Sequence, residues 1–287
     1  MVAPLFFVHI LSAGWTALLL YPAATQPLLW RGIIQHGMTR SETQAGHPDR
    51  THTLSTGHTV DLPLEATCTV AGATFTAVPD QLDDHLPAGL TPLRIGTRTG
   101  LLALVSIEYH SIGPFEPYRE FAVIIPAART PALDLPLLPL LTGEVGGYVH
   151  YLPVTTDASV ALGTEIWGYP KEQAAITIAD SGSTRRTVVK QDGDPLIRLD
   201  VGHADARHRE LTLYSYTVQD GQLVRTRVDI NGGLAIRPLT RKAAYTLGDH
   251  PRATELQSLG PGTRPLTRLY GAELHARLHP GERVPSP

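Results

Sequence analysis

From His58 onward the chain is a succession of stretches in which apolar side chains alternate with small or polar ones. A period of two puts successive side chains on opposite faces of an extended strand, so each stretch reads as a β-strand with two faces. Asp192-Gly193 and Asp220-Gly221 mark hairpin turns between neighbouring stretches. Strands are expected over 66–78, 101–111, 118–127, 146–154, 171–179, 185–191, 195–202, 210–218, 222–230 and 265–278. Short helices are expected over 80–86, opened by Pro79-Asp80, over 158–166 with Asp157 as cap, and over 251–259. Gly72 reads as a turn or bulge and Asn231-Gly232-Gly233 as a turn. The Pro- and Leu-rich stretch 129–143 reads as a loop, a cover or an oligomer contact. The expected fold is mainly β (β-rich α+β): an antiparallel, closed or nearly closed β-barrel with a few short helices.

With 287 residues, 42% of them hydrophobic and 18% charged, the chain can bury a substantial core and is globular. A net charge of −3 offers no basic stripe for nucleic acid. Cys68 is the only cysteine, so neither an intrachain disulfide nor a cysteine-based zinc site can form. That suits a reducing compartment, and a cytoplasmic location is expected. The Thr67-Cys68-Thr69-Val70 context is strand-like, so the thiol reads as buried and inert. The histidines, including the pairs His203/His208 and His275/His279, lack a carboxylate motif and read as surface or structural. No nucleotide-binding glycine motif is present, and no metal or cofactor is expected.

Residues 2–30 carry no Asp, Glu, Lys or Arg, but Pro4, His9, Gly14 and Pro22 interrupt the apolar run. No positive charge precedes it, as a secretory signal would require. The only other methionine is Met38, followed by the polar stretch 39–50. The reading is an alternative start at Met38 rather than a membrane anchor, with residues 1–50 an N-terminal segment and linker and 51–287 the working domain.

Two carboxylates enter apolar strands. On 101–111, Leu102, Leu104, Ser106 and Glu108 share one face, and Leu101, Ala103, Val105, Ile107 and Tyr109 the other. On 118–127, Tyr118, Glu120, Ala122 and Ile124 share one face, and Arg119, Phe121, Val123 and Ile125 the other. A buried carboxylate needs a partner or a raised pKa. Each glutamate is therefore either a functional group or half of an arginine pair at a strand end. Arg119 points away from Glu120.

Of the 24 basic residues only three are lysines: Lys171, Lys190 and Lys242. Lysine, unlike arginine, can lose its proton when buried, and a neutral amine attacks carbonyl carbon to form an imine. Lys171 follows Ile166, Trp167, Tyr169 and Pro170, flanks that suit a buried site. If the strand is extended from its first residue, Lys171 and Glu172 face opposite ways.

The stretch Gly163-Thr-Glu-Ile-Trp-Gly-Tyr-Pro-Lys171 resembles the lysine motif of the acetoacetate decarboxylase family. Pro117-Tyr-Arg-Glu-Phe121 resembles that family's segment carrying an active-site glutamate, Ile107-Glu-Tyr109 the strand before it, and Gly248-Asp-His-Pro251 a segment common in its members. The resemblance runs in matching order over roughly residues 58–280. It implies the same barrel, a homo-oligomer and a small oxo acid as substrate. Lys171 would be the Schiff-base nucleophile, Glu120 would position water or move protons, and Glu108 would support Glu120. Tyr118, Trp167 and Tyr169 would wall the substrate pocket. The implied reaction is decarboxylation of a β-keto acid to a ketone and carbon dioxide. Two departures leave acetoacetate itself open as the substrate. The best-known members carry a second lysine directly after the first, where this chain has Glu172, and Arg50 does not align with the family's N-terminal arginine. An imine-forming aldolase or dehydratase and a non-catalytic barrel for a carbonyl or apolar ligand remain the alternatives.

Overall fold

The computed structural model describes residues 51–129 and 145–285. The readings of the N-terminal segment and of 130–143 lie outside these residues. The strands in chain order are β1 (Thr51–Thr53), β2 (Thr59–Asp61), β3 (Leu64–Ala77), β4 (Leu90–Pro92), β5 (Arg94–Ile95), β6 (Thr99–Ile112), β7 (Arg119–Arg129), β8 (Val145–Val154), β9 (Lys171–Gln173) and β10 (Ala175–Ser181). There follow β11 (Thr184–Gln191), β12 (Asp194–Gly202), β13 (Arg207–Gln219), β14 (Gln222–Pro238), β15 (Ala243–Leu247) and β16 (Pro265–Arg283). The helices are α1 (Pro79–Asp83), α2 (Asp157–Trp167) and α3 (Pro251–Ser258). Among the described residues no helix is long and apolar enough to cross a membrane.

Strands β7, β6, β3, β16, β14, β13 and β8 pair in that order, and β8 pairs back to β7, which closes a barrel. The barrel is not wholly antiparallel. β13 runs parallel to β8, with Ser215 opposite Gly147 and Tyr216 opposite Tyr148, and β9 is parallel to β8. Period two fixes which way a side chain points and says nothing of strand direction, so this junction was not readable from the pattern. The second sheet, β10-β11-β12-β15, covers one outer flank of the barrel.

Two cores result. The barrel interior holds Leu64, Ala66, Cys68, Tyr109, Tyr118, Leu152, Trp167, Leu234 and Leu274 among others. The second core lies between the barrel's outer face and the covering sheet, where Leu102, Leu104, Phe121, Val123 and Ile125 meet Val189, Leu196, Ile197 and Leu199. The two faces of β6 and β7 read from the sequence are thus both buried, one in each core. Such double burial makes these strands apolar on both sides.

Four local readings are corrected. Thr156, not Asp157, caps α2: its Oγ1 accepts from the Ser159 N–H at 3.2 Å. Asn231-Gly232-Gly233 is no turn; it lies inside the 17-residue β14, where the register with β16 shifts between Asn231 and Leu234. Gly72 lies in unbroken β3, and a Cβ there would come within 2.8 Å of the Leu104 carbonyl oxygen, so glycine serves close strand approach. The stretch expected as one strand over 171–179 breaks at Ala174: β9 joins the barrel sheet and β10 the covering sheet.

Candidate active site

Lys171 enters the barrel because of how α2 ends. Gly168 adopts φ +65°, and its N–H bonds the Thr164 carbonyl while the Tyr169 N–H bonds the Gly163 carbonyl. This left-handed close is natural for glycine, and Pro170 then prevents any continuation of the helix. A Cβ at Gly168 would meet Gln219 Cβ at 2.7 Å, so the turn also packs against β13. The chain leaves as β9, with Lys171 opposite Leu152 of β8.

The lysine side chain is 4% exposed and its Nζ lies 2.8 Å from Glu120 Oε2, on a carboxylate that is 7% exposed. The contact is ionic, without hydrogen-bond alignment: Oε2 is buried with no aligned donor among the described residues. Nζ also donates to the Tyr118 hydroxyl at 3.4 Å and lies 5.3 Å from the centre of that ring. The lysine stem rests against Gly163 of α2, where an added Cβ would fall 2.4 Å from Cδ and 2.5 Å from Cε.

Glu120 sits opposite Ile107 on β6, and Tyr109 packs against Tyr118 with ring centres 4.7 Å apart. Burial, then the charge of Glu120, raises both phenols well above their ordinary pKa. Tyr118 and Tyr109 therefore stay neutral and can act as hydroxyl donors beside the ion pair. Tyr169 pairs its hydroxyl with Ser215 Oγ at 2.7 Å; burial pushes its pKa to about 12 against the lowering effect of that bond, with Glu120 a further cause. Cys68 is 2% exposed, and burial followed by Glu120 pushes its thiol to about 12, in keeping with an inert side chain.

The residues expected at the site therefore divide. Lys171, Glu120 and Tyr118 come together, and Tyr169 stands within electrostatic range of Glu120. Trp167 is 1% exposed and its Nε1 donates to the His279 carbonyl at 2.8 Å, so it anchors α2 in the core. Glu108 is a correction. It pairs across from Arg119 on the barrel's outer face, where it is held by Arg119 at 3.1 Å and by Arg185 of β11, which also grips Asp180 at 2.7 Å. Adjacent residues of a strand point apart, so Glu108 cannot share the cavity of Glu120. Glu172 likewise faces away from Lys171, bound by Arg252 of α3 and by Gln191 Nε2 at 2.9 Å.

Tyr109 and Gly163 were missed as site residues. Tyr109 was readable as sharing the face of Ile107, but only the register with β7 brings that face to Glu120. Gly163 lay in plain view eight positions before Lys171, on the helix across which the lysine folds. Gly163→Ala is expected to leave stability unchanged or lower it by up to about 2 kcal/mol, since overpacking against the buried lysine stem offsets the preference of about 1 kcal/mol that alanine has over glycine in a helix. Capture of a carbonyl compound at Lys171 is expected to fall at least about tenfold, because the stem must shift off its seat. Thermal unfolding and the rate of borohydride trapping measure the two effects, and an unchanged trapping rate would contradict the seating.

A family model described as acetoacetate decarboxylase matches residues 50–276. No curated protein matches the chain. Among solved structures, the acetoacetate decarboxylase from Legionella pneumophila is 18% identical with a TM-score of 0.61, covering 85% of this chain and 94% of its own. The enduracididine biosynthesis enzyme MppR, with HEPES bound, is 16% identical with a TM-score of 0.59, covering 78% and 88%. An acetoacetate decarboxylase-like enzyme from Sphingomonas wittichii is 17% identical with a TM-score of 0.52, covering 80% and 97%. At such identities the structural likeness speaks for the fold, while the family model spans most of the chain. The chain belongs to the acetoacetate decarboxylase family.

Proposed function

We propose that this chain is an imine-forming enzyme, that Lys171 is its nucleophile, and that it decarboxylates a 3-oxo acid to a ketone and carbon dioxide. The observation that carries this reading is the buried Lys171–Glu120 pair inside a closed barrel. The amine must be neutral to attack, and Glu120 Oε2, 2.8 Å away, is the base positioned to take its proton. The amine adds to the ketone carbon, and the resulting hydroxyl leaves as water to give an iminium. The bond to the carboxylate then breaks, and its electron pair moves into the carbon–nitrogen system as carbon dioxide departs. The enamine takes a proton at the former α-carbon, and water releases the ketone and free lysine. The neutral Tyr118 hydroxyl is positioned to donate to the oxygen that develops charge during addition. Charge is lost as the carboxylate leaves, and a desolvated site favours that change.

A second reading, imine chemistry without decarboxylation, has its own support. Glu172 stands where the best-known members carry a second lysine, and MppR has been solved with pyruvate and with a condensation product of pyruvate and imidazole 4-carboxaldehyde. Borohydride reduction with a panel of oxo acids, read by peptide mass alongside carbon dioxide release, separates the cases. A decarboxylase shows mass addition at Lys171 and releases carbon dioxide. An aldolase or dehydratase shows the addition alone, and a binding barrel shows neither. Modification at Lys190 or Lys242 instead would refute the assignment of Lys171.

A further inference from the structure

Six branched apolar side chains turned into the barrel remain only half-buried: Val70, Val105, Ile107, Ile124, Val228 and Ile230. A packed interior buries such residues almost completely, as it does Leu152, Leu162 and Trp167 beside them. Their partial exposure marks open space within the barrel. That space adjoins the ion pair. Ile107 lies directly opposite Glu120, and Val70 directly opposite Ile107. Val105 and Ile124 are the next half-buried inward positions along β6 and β7, and Val228 and Ile230 lie on β14. None of the six offers a hydrogen-bonding side chain. The lumen thus has a polar end, made by Lys171, Glu120 and Tyr118, with the Tyr169 and Ser215 hydroxyls and Thr226 on its β13–β14 side, and a wall of Val and Ile leading away from it along β3, β6 and β7.

We infer that the substrate is an oxo acid with an extended apolar arm on its ketone carbon, a medium-chain 3-oxo acid rather than a four-carbon one. This rests on the imine reading of Lys171 and adds the identity of the arm. With the ketone carbon at Nζ, the arm lies along Ile107, Val105 and Ile124. Polar groups on the arm would lose water there without gaining partners, whereas methylenes gain by leaving water. Imine formation joins amine nitrogen to ketone carbon and expels one water. Cleavage releases carbon dioxide and leaves its electron pair as an enamine, and a proton with one water then returns the amine and a methyl ketone.

The test is a chain-length series of acetoacetate, 3-oxohexanoate and 3-oxooctanoate with the full chain, reading borohydride trapping at Lys171 and carbon dioxide release. The specificity constant is expected to rise about fourfold per methylene, hence about 250-fold over the four methylenes from acetoacetate to 3-oxooctanoate. A flat series, or preference for acetoacetate, overturns the inference while trapping at Lys171 upholds the imine reading. Trapping by no member overturns both. Val105→Phe, which fills the lumen, is expected to lower the 3-oxooctanoate-to-acetoacetate ratio at least tenfold. The ratio is read within one sample, so partial loss of folded protein does not alter it, and an unmoved ratio overturns the placement of the arm.

Discussion

Lys171→Arg is expected to abolish imine trapping by any oxo acid and to bring carbon dioxide release down to the uncatalysed rate, while the protein stays folded. Arginine keeps the charge that faces Glu120 and a similar aliphatic stem, so the ionic contact and the seat against Gly163 are largely retained. A guanidinium does not lose its proton in a protein and does not form the imine, so the chemistry fails at its first step. Circular dichroism and the unfolding midpoint check the fold, and peptide mass after borohydride checks the chemistry. The choice of arginine matters. Alanine at this position would leave Glu120 buried without its counter-charge, and a lost partner of a buried pair costs about 3–5 kcal/mol, which would mix instability with inactivity. Residual trapping at position 190 or 242 in the arginine variant would move the nucleophile elsewhere.

The sequence made this lysine visible because it is one of three in an arginine-rich chain and ends a recognisable motif. It also sorted the faces of two strands correctly: Tyr118, Glu120 and Ala122 point inward, and Arg119, Phe121 and Val123 outward. It could not say which of two carboxylates meets the lysine. Glu108 and Glu120 each enter an apolar strand, and a one-residue difference in register would exchange their faces. The deciding facts are long-range: Ile107 opposite Glu120, and Arg185, contributed by the covering sheet, waiting for Glu108. That sheet depends on the break at Ala174, where nothing in the alternation changes. The long β14 was hidden for a related reason. Its two glycines carry the signature of a turn, yet they sit where the register slips against β16, a bulge recognisable only once the partner strand is known. The wall of half-buried Val and Ile was written in the alternation, but whether such positions pack or line open space depends on barrel closure.

Glu120→Gln is expected to separate capture from turnover. The substitution keeps size and shape and removes only the carboxylate's charge and its capacity to accept a proton. Trapping at Lys171 is expected to persist, because the nucleophile, its seat on Gly163 and the Tyr118 hydroxyl all remain. The amine's proton then leaves to water instead of to Glu120, which slows capture without abolishing it. Turnover is a different matter. In the proposed cycle protons move when the amine is freed, when the carbinolamine loses water and when the enamine is protonated, and a positioned acid–base group contributes about 10²–10⁴-fold to such steps. Carbon dioxide release is therefore expected to fall by roughly that factor, with the loss in kcat rather than in KM. Single-turnover measurements distinguish the two stages, since the imine should form and then accumulate. If trapping vanishes along with turnover in a folded protein, Glu120 is needed for the addition itself. If neither changes, Glu120 is only the counter-ion of Lys171, and the protons travel through Tyr118 or through water admitted along the Ile107 wall.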